Sequence, residues 1–220
     1  MIVVPRRPVA LEPKAAARAL VAALKARAGA APPRELARVL LAMIWFETAG
    51  RPNNFNAGNL MAASLVGGRE VATWPGEAWR PGFYELTVSS SAAEIASHAA
   101  MMAGKEPTAF RAYPDAEAGF ADFVGLLAHK FGGMLSAAAA GDVAAFSSAY
   151  VSSGYCPRCT PENVRRNIES RLAYLDGAGA FDGLELAPPP GPGPAGPAVL
   201  LAAAAVAAVL LWLTQRKAAA

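Results

Sequence analysis

Residues 187–197 read APPPGPGPAGP, six prolines and three glycines in eleven positions. Proline fixes φ and removes a backbone donor, so neither a helix nor a central strand can run through such a stretch. It therefore divides the 220-residue chain into a long N-terminal part and a short C-terminal one. Beyond it lies AVLLAAAAVAAVLLWL (Ala198–Leu213), and no residue from Ala187 to Gln215 is charged. A helix over 198–215, continued into the short basic tail at 216–220, would span about 30 Å at about 1.5 Å per residue, the thickness of a hydrocarbon core. Trp212 and the Arg216–Lys217 pair stand where interfacial anchors belong. The expectation is a single C-terminal transmembrane helix tethered by a semi-rigid linker. The other reading of the tail is an Ala-rich buried or amphipathic helix, since alanine is only weakly lipophilic. The long tether argues against it.

The positive-inside rule would put Arg216 and Lys217 in the cytoplasm and the main domain on the extracytoplasmic, cell-wall side. Met1–Pro13 (MIVVPRRPVALEP) reads as an N-terminal tail without the apolar run of a signal peptide, so the sequence offers no export route. Residues 14–186 are enough for one domain with a real core. With 54% hydrophobic residues and a net charge of +3, the chain is not disordered. Two cysteines exclude a disulfide-dense scaffold, and 17% charged residues exclude a nucleic-acid binder built on a dense basic face. A modest positive charge suits a polyanionic partner such as cell-wall polymer or lipid headgroups.

Helical spacing places apolar Ala17, Leu20, Val21 and Leu24 on one face of Lys14–Ala28, stopped by Gly29. Pro32 and Pro33 open a second helix, whose apolar positions include Leu36, Val39, Leu40, Met43, Ile44 and Phe46 and which ends at Glu47. Residues 51–68 are Asn/Gly-rich and read as an ordered loop. Val71–Val88 carries Trp74, Trp79, Phe83 and Tyr84 around two Pro-Gly breaks, and reads as a short hairpin or irregular lobe. Ser91, Asp115 and Asp142 are caps for helices over Ala92–Ala103, one bearing Phe120, Phe123, Val124 and Leu127, and Val143–Val151. Thr160-Pro161-Glu162 starts a last helix, Glu162–Leu175. The domain is thus mostly α (α+β), a helical body with a small β lobe.

One constellation carries chemistry. Glu47 ends an apolar helix in the segment WFETAG and is followed within twelve residues by Asn53, Asn54, Asn56 and Asn59. A carboxyl flanked by Trp45 and Phe46 and partly desolvated favours its neutral form, which a general acid needs near neutral pH. Amide groups such as those of Asn56 and Asn59 suit the hydroxyl and acetamido groups of a sugar. The residues alone read first as a helix-terminal surface glutamate held in an ion pair.

Four segments in order, LAMIWFETAG, NFNAGNL, FRAYPDAEAGFADFVGLL and SSGYCPR, resemble the peptidoglycan N-acetylglucosaminidases of glycoside hydrolase family 73, which include flagellar and autolysin-type enzymes. The family's ETGxG, Asn-rich, FR-x-Y and GYAT-like segments correspond to Glu47–Gly50, Phe55–Leu60, Phe110–Tyr113 and Gly154-Tyr155, so the resemblance covers roughly residues 34–175. It implies a lysozyme-like fold with a sugar groove between the helical body and the β lobe, and cleavage of the β-1,4 bond after N-acetylglucosamine in glycan strands. Glu47 would be the general acid. The second carboxylate, on the β lobe, would be Glu85, with Glu77 as runner-up, and Tyr155 would stand near the acid. The chain departs from the pattern at Met61, where the family has Lys, at Ala49 in place of Gly, and in the GYCPRC turn. Acid-assisted hydrolysis needs no metal or organic cofactor. Muramidase or lytic transglycosylase activity on the same scaffold, or a catalytically inactive wall-binding or phage/envelope structural module, are the alternative readings.

Weaker signals point elsewhere. Cys156 and Cys159 form one C-x-x-C, read as a local disulfide outside the cytoplasm; only His98 and His129 could complete a zinc set. Trp74 and Trp79 could stack on sugar rings or simply pack the β lobe. Both histidines and the Arg165, Arg166, Arg171 cluster read as structural or solvated, the arginines with the option of facing an anionic wall.

Overall fold

The structure is a computed structural model that describes residues 3–5, 7–60, 85–88, 110–156 and 159–188, with the backbone alone at residues 3–5, 85–88, 110 and 111. The linker beyond 188, the tail helix at 198–215, the basic tail, the Ala92–Ala103 helix, His98, Trp74, Trp79, Glu77 and Met61 lie outside the described residues. Among the described residues, no helix is long and apolar enough to cross a membrane.

The described part is mostly helical. Six helices run α1 (Pro13–Ala28), α2 (Arg34–Thr48), α3 (Ala116–Lys130), α4 (Gly132–Ala139), α5 (Val143–Ser152) and α6 (Pro161–Gly177). Their starts follow local chemistry. Asp115 accepts from the Ala118 amide at 2.8 Å, Asp142 from Ala145 at 2.9 Å and Thr160 from Asn163 at 3.3 Å, each satisfying an amide that the helix leaves unpaired. Gly29 ends α1 with φ 73°, as its position predicts.

Helix α2 sits at the centre. Val39, Leu40, Leu41, Ala42, Met43 and Ile44 are at most 1% exposed, so six successive residues are covered on every side. A helix apolar all round has to be wrapped by others, and α1, α4 and α6 pack on it. Ala17 and Leu20 of α1, Phe120, Phe123 and Leu127 of α3, Met134 of α4, Phe146 and Tyr150 of α5, and Ile168 and Leu175 of α6 join it in one core.

Helix α4 opens on Gly132-Gly133, a pair that disfavours a helix; Met134, Leu135 and Ala138 nonetheless bury one face and hold it. Residues 7–12 are not a free tail. The amides of Val9 and Leu11 donate to the carbonyls of Pro52 and Gly50, both at 2.9 Å, and Glu12 caps α1, which begins at Pro13 rather than Lys14. At the other end, the Ala187 amide donates to the Pro32 carbonyl at 2.9 Å, so the polypeptide is tied back to the body where the proline run begins.

Among the described residues, three short strands pair through their backbones: β1 (Val3–Pro5) lies parallel to β2 (Glu85–Val88), and β2 antiparallel to β3 (Phe110–Ala112). In register, Glu85 faces Ala112. The next residue, Tyr113, donates its amide to the Asn54 carbonyl at 2.9 Å, joining the strands to the loop after α2.

That loop leaves no room under it. A β-carbon at Gly119 would stand 2.0 Å from the Phe55 carbonyl oxygen, a backbone atom that cannot swing aside. Gly119→Ala should therefore destabilise the fold by about 1–3 kcal/mol or more through overpacking. Urea unfolding checks this, and an unchanged midpoint would mean that the loop does not rest on α3.

Candidate active site

Glu47 occupies the last turn of α2, where the fully covered helix emerges from the core. Ala49 closes the helix in the left-handed region at φ 51°, and Gly50 follows at φ 71°. A β-carbon at Gly50 would meet the Trp45 ring at 2.8 Å, so only glycine lets the chain turn this sharply over its own helix end. The loop from Asn53 to Leu60 then doubles back, with Asn54, Phe55 and Asn59 also at positive φ. Such conformations persist where the surroundings fix them.

Here the surroundings do so at every step. The Asn54 amide donates to the Arg7 carbonyl at 2.8 Å, and its side-chain Oδ1 accepts from the Arg7 amide at 2.7 Å. Asn56 is 2% exposed and spends its side chain on the loop itself: Nδ2 donates to the Leu60 carbonyl at 2.9 Å and Oδ1 accepts from the Leu60 amide at 2.7 Å. The structure thus gives Asn56 the place of a loop clamp. Asn59 turns inward, its Nδ2 donating to the Glu47 carbonyl oxygen at 3.0 Å and to Glu47 Oε2 at 3.4 Å.

The other carboxyl oxygen, Glu47 Oε1, accepts a hydrogen bond from the hydroxyl of Tyr150 on α5. Tyr150 is fully buried, with Phe46 and Phe146 rings each 6.1 Å from its own and the Tyr155 ring at 5.0 Å. Tyr155, the tyrosine singled out from sequence, stands beside this pair but donates its hydroxyl to the Gly58 carbonyl at 2.8 Å, and its ring meets Phe131 at 5.3 Å. It holds the loop rather than the carboxylate. Cys156 and Cys159, immediately after it, are joined as a disulfide that closes the turn into α6. Tyr150 itself escaped the sequence reading. It lies in an apolar helix, and nothing in the linear pattern shows that its hydroxyl reaches the end of α2.

Burial raises the Glu47 carboxyl above its ordinary value of 4.5, and the Asn59 hydrogen bond opposes this in part. Burial, reinforced by the nearby Glu47 charge, pushes the Tyr155 phenol well above 10.0. Both groups are thereby held toward their protonated forms. The backbone of Glu85 sits one residue pair from the Tyr113–Asn54 junction, so the topology brings β2 to the same loop. Trp74, Trp79 and Glu77 lie outside the described residues. Among the described residues there is no cluster of three or more metal-ligating side chains. On the far side of the body, Arg38 pairs with Glu35 and with Asp176, which fastens α2 to α6; His129, Arg165 and Arg166 are exposed.

No protein-family model, curated protein or solved structure matches the chain. The chemistry available here is that of a partly desolvated carboxylic acid, fixed by two donors on a rigid helix end beside an amide-rich loop.

Because the folded chain binds the Glu47 proton more tightly than the unfolded chain does, stability from the neutral acid is complete below pH 4.5 and lost as pH rises through the raised folded value. Glu47→Gln should therefore melt at a higher temperature than the parent at pH 8, with the difference vanishing near pH 4. Thermal melts across that range check it; a variant less stable than the parent at pH 8 would contradict a desolvated carboxyl.

Proposed function

We propose that this protein is a peptidoglycan hydrolase that cleaves the β-1,4 bond after N-acetylglucosamine in glycan strands, with Glu47 as its general acid. The observation that carries the reading is the state of Glu47: half-buried, raised in pKa, and held through Oε1 by Tyr150, with Asn59 beside Oε2 at 3.4 Å. A glycosidase acid must hold its proton near neutral pH and hold it in place, and desolvation with fixed partners supplies both. The segments of the glucosaminidase resemblance support the same assignment, since Glu47, the Asn loop, Tyr113 and Tyr155 meet at the end of α2 through the Asn54–Tyr113 and Gly58–Tyr155 hydrogen bonds.

In this reading the Glu47 proton passes to the glycosidic oxygen as its bond to the anomeric carbon breaks. Water then gives its hydroxyl to that carbon, and its proton restores the acid. Glu85, on the strand beside the loop, is the proposed second carboxylate, with Glu77 as the alternative. Asn59, Trp74 and Trp79 are proposed sugar contacts in the groove. Lysozyme-like architecture, a β lobe that carries Glu85, and anchorage through the apolar tail at 198–215 with the domain on the cell-wall side complete the proposal. The net charge of +3 suits an anionic wall.

Digestion of purified peptidoglycan by the full chain, with products read by mass spectrometry, tests it. The expected products carry reducing-end N-acetylglucosamine, and Glu47→Gln should lower their rate by at least about 100-fold, the usual contribution of a positioned acid. Reducing-end muramic acid would indicate a muramidase, and its anhydro form a transglycosylase. Binding to sacculi with no products would overturn the enzyme reading in favour of a wall-binding module.

A further inference from the structure

We propose that Tyr150 is the positioning residue of the Glu47 acid, holding Oε1 so that Oε2 is the oxygen that carries and delivers the proton. The inference rests on the hydrolase reading for its consequence, and on the geometry of three side chains for its substance.

The two carboxyl oxygens are unlike. Oε1 faces inward to the hydroxyl of Tyr150, a fully buried side chain whose hydroxyl has that carboxyl oxygen as its hydrogen-bond partner among the described residues. A proton on Oε1 would set two hydrogens against each other in that contact and leave the phenol, in an apolar surrounding, without an acceptor. That is the costly outcome for a buried polar group. Oε2 faces the Asn loop, where Asn59 Nδ2 is 3.4 Å away. That donor already has a better acceptor in the Glu47 carbonyl oxygen at 3.0 Å. It can release Oε2 at little cost when the proton sits there, and take it up again when Glu47 ionises. One oxygen is therefore committed and the other is free to exchange its proton.

The surroundings leave this task to Tyr150. Among the described residues, the titratable groups facing Glu47 are Tyr150 from α5 and Tyr155 from the turn before α6, and Tyr155 is engaged by the Gly58 carbonyl. Burial raises the carboxyl and the Asn59 amide lowers it, and among the described residues no charged side chain is a cause of that shift. Donation from a phenol favours the carboxylate. Tyr150 therefore opposes the effect of burial and keeps the acid able to lose its proton in the reaction.

Tyr150→Phe in the full chain tests the inference, because it removes one oxygen and preserves the ring that packs against Phe46 and Phe146. NMR of carbon-labelled glutamate should show the Glu47 titration moved to higher pH. On glycan strands kcat should fall by roughly 10–100-fold with KM within about twofold, since a misoriented acid loses that much. The alkaline limb of the pH profile should move up with the titration. An unmoved Glu47 titration in a folded variant, or an activity loss equal at all pH values, would overturn the assignment. Should the variant not fold, the Tyr150 ring carbon resonances of the parent decide. They must shift as Glu47 titrates and lose that shift in Glu47→Gln; resonances indifferent to Glu47 overturn it. A parent chain that turns over no glycan would sink the hydrolase reading, while the Glu47 titration still judges Tyr150.

Discussion

Helix α2 cannot expose any of its middle turns to water, and most of the structure answers that constraint. Six successive residues from Val39 to Ile44 are covered, so helices must close around the axis from every side. Covering a helix completely also fixes its rotation and translation, because the core admits no void and no slippage. Glu47 is the first titratable side chain after that covered run, and its Cα position is set by the packing of the whole body. A carboxyl placed in this way begins with little positional freedom.

The loop after α2 converts that rigidity into a site. It carries four non-glycine residues at positive φ between Ala49 and Asn59. The strain is held by contacts from distant parts of the chain: Arg7 from the N-terminal segment, Tyr113 after β3, Gly119 beneath Phe55, and Tyr155 on the Gly58 carbonyl. Each contact is modest, about 1 kcal/mol net for an ordinary hydrogen bond. Together they connect segments separated by more than a hundred residues in sequence to one turn. The polar network then ends at Glu47, whose two oxygens meet different partners in different surroundings.

Much of the helical body was legible in the sequence because its signals are local. Caps at Asp115, Asp142 and Thr160 and the apolar spacing of α1 and α3 depend only on neighbouring residues. Helix α4 was not legible, since its glycine pair opposes a helix and the burial of Met134, Leu135 and Ala138 decides the matter from outside the segment. The pairing of residues 7–12 with the loop was hidden for a related reason: edge pairing through backbone atoms leaves no mark on side-chain type. Within the site, Glu47 and the Asn loop could be found because an acid among aromatics followed by an amide-rich turn is unusual. Tyr150 could not, because a tyrosine in an apolar helix reads as core until the partner of its hydroxyl is known. Asn56 and Asn59 look equivalent as letters, yet one is consumed by Leu60 and the other reaches Glu47.

The central claim, that Glu47 is the acid at a glycan-cleaving site, is tested most directly by the crystal structure of the Glu47→Gln chain soaked with a tetrasaccharide of alternating N-acetylglucosamine and N-acetylmuramic acid. The account predicts a glycosidic oxygen within about 3 Å of the residue-47 side chain, on the side facing Asn59 and away from Tyr150, the reach required for proton transfer. A sugar bound elsewhere on the body, with residue 47 still enclosed by Tyr150 and Asn59 and touching no substrate atom, would contradict it.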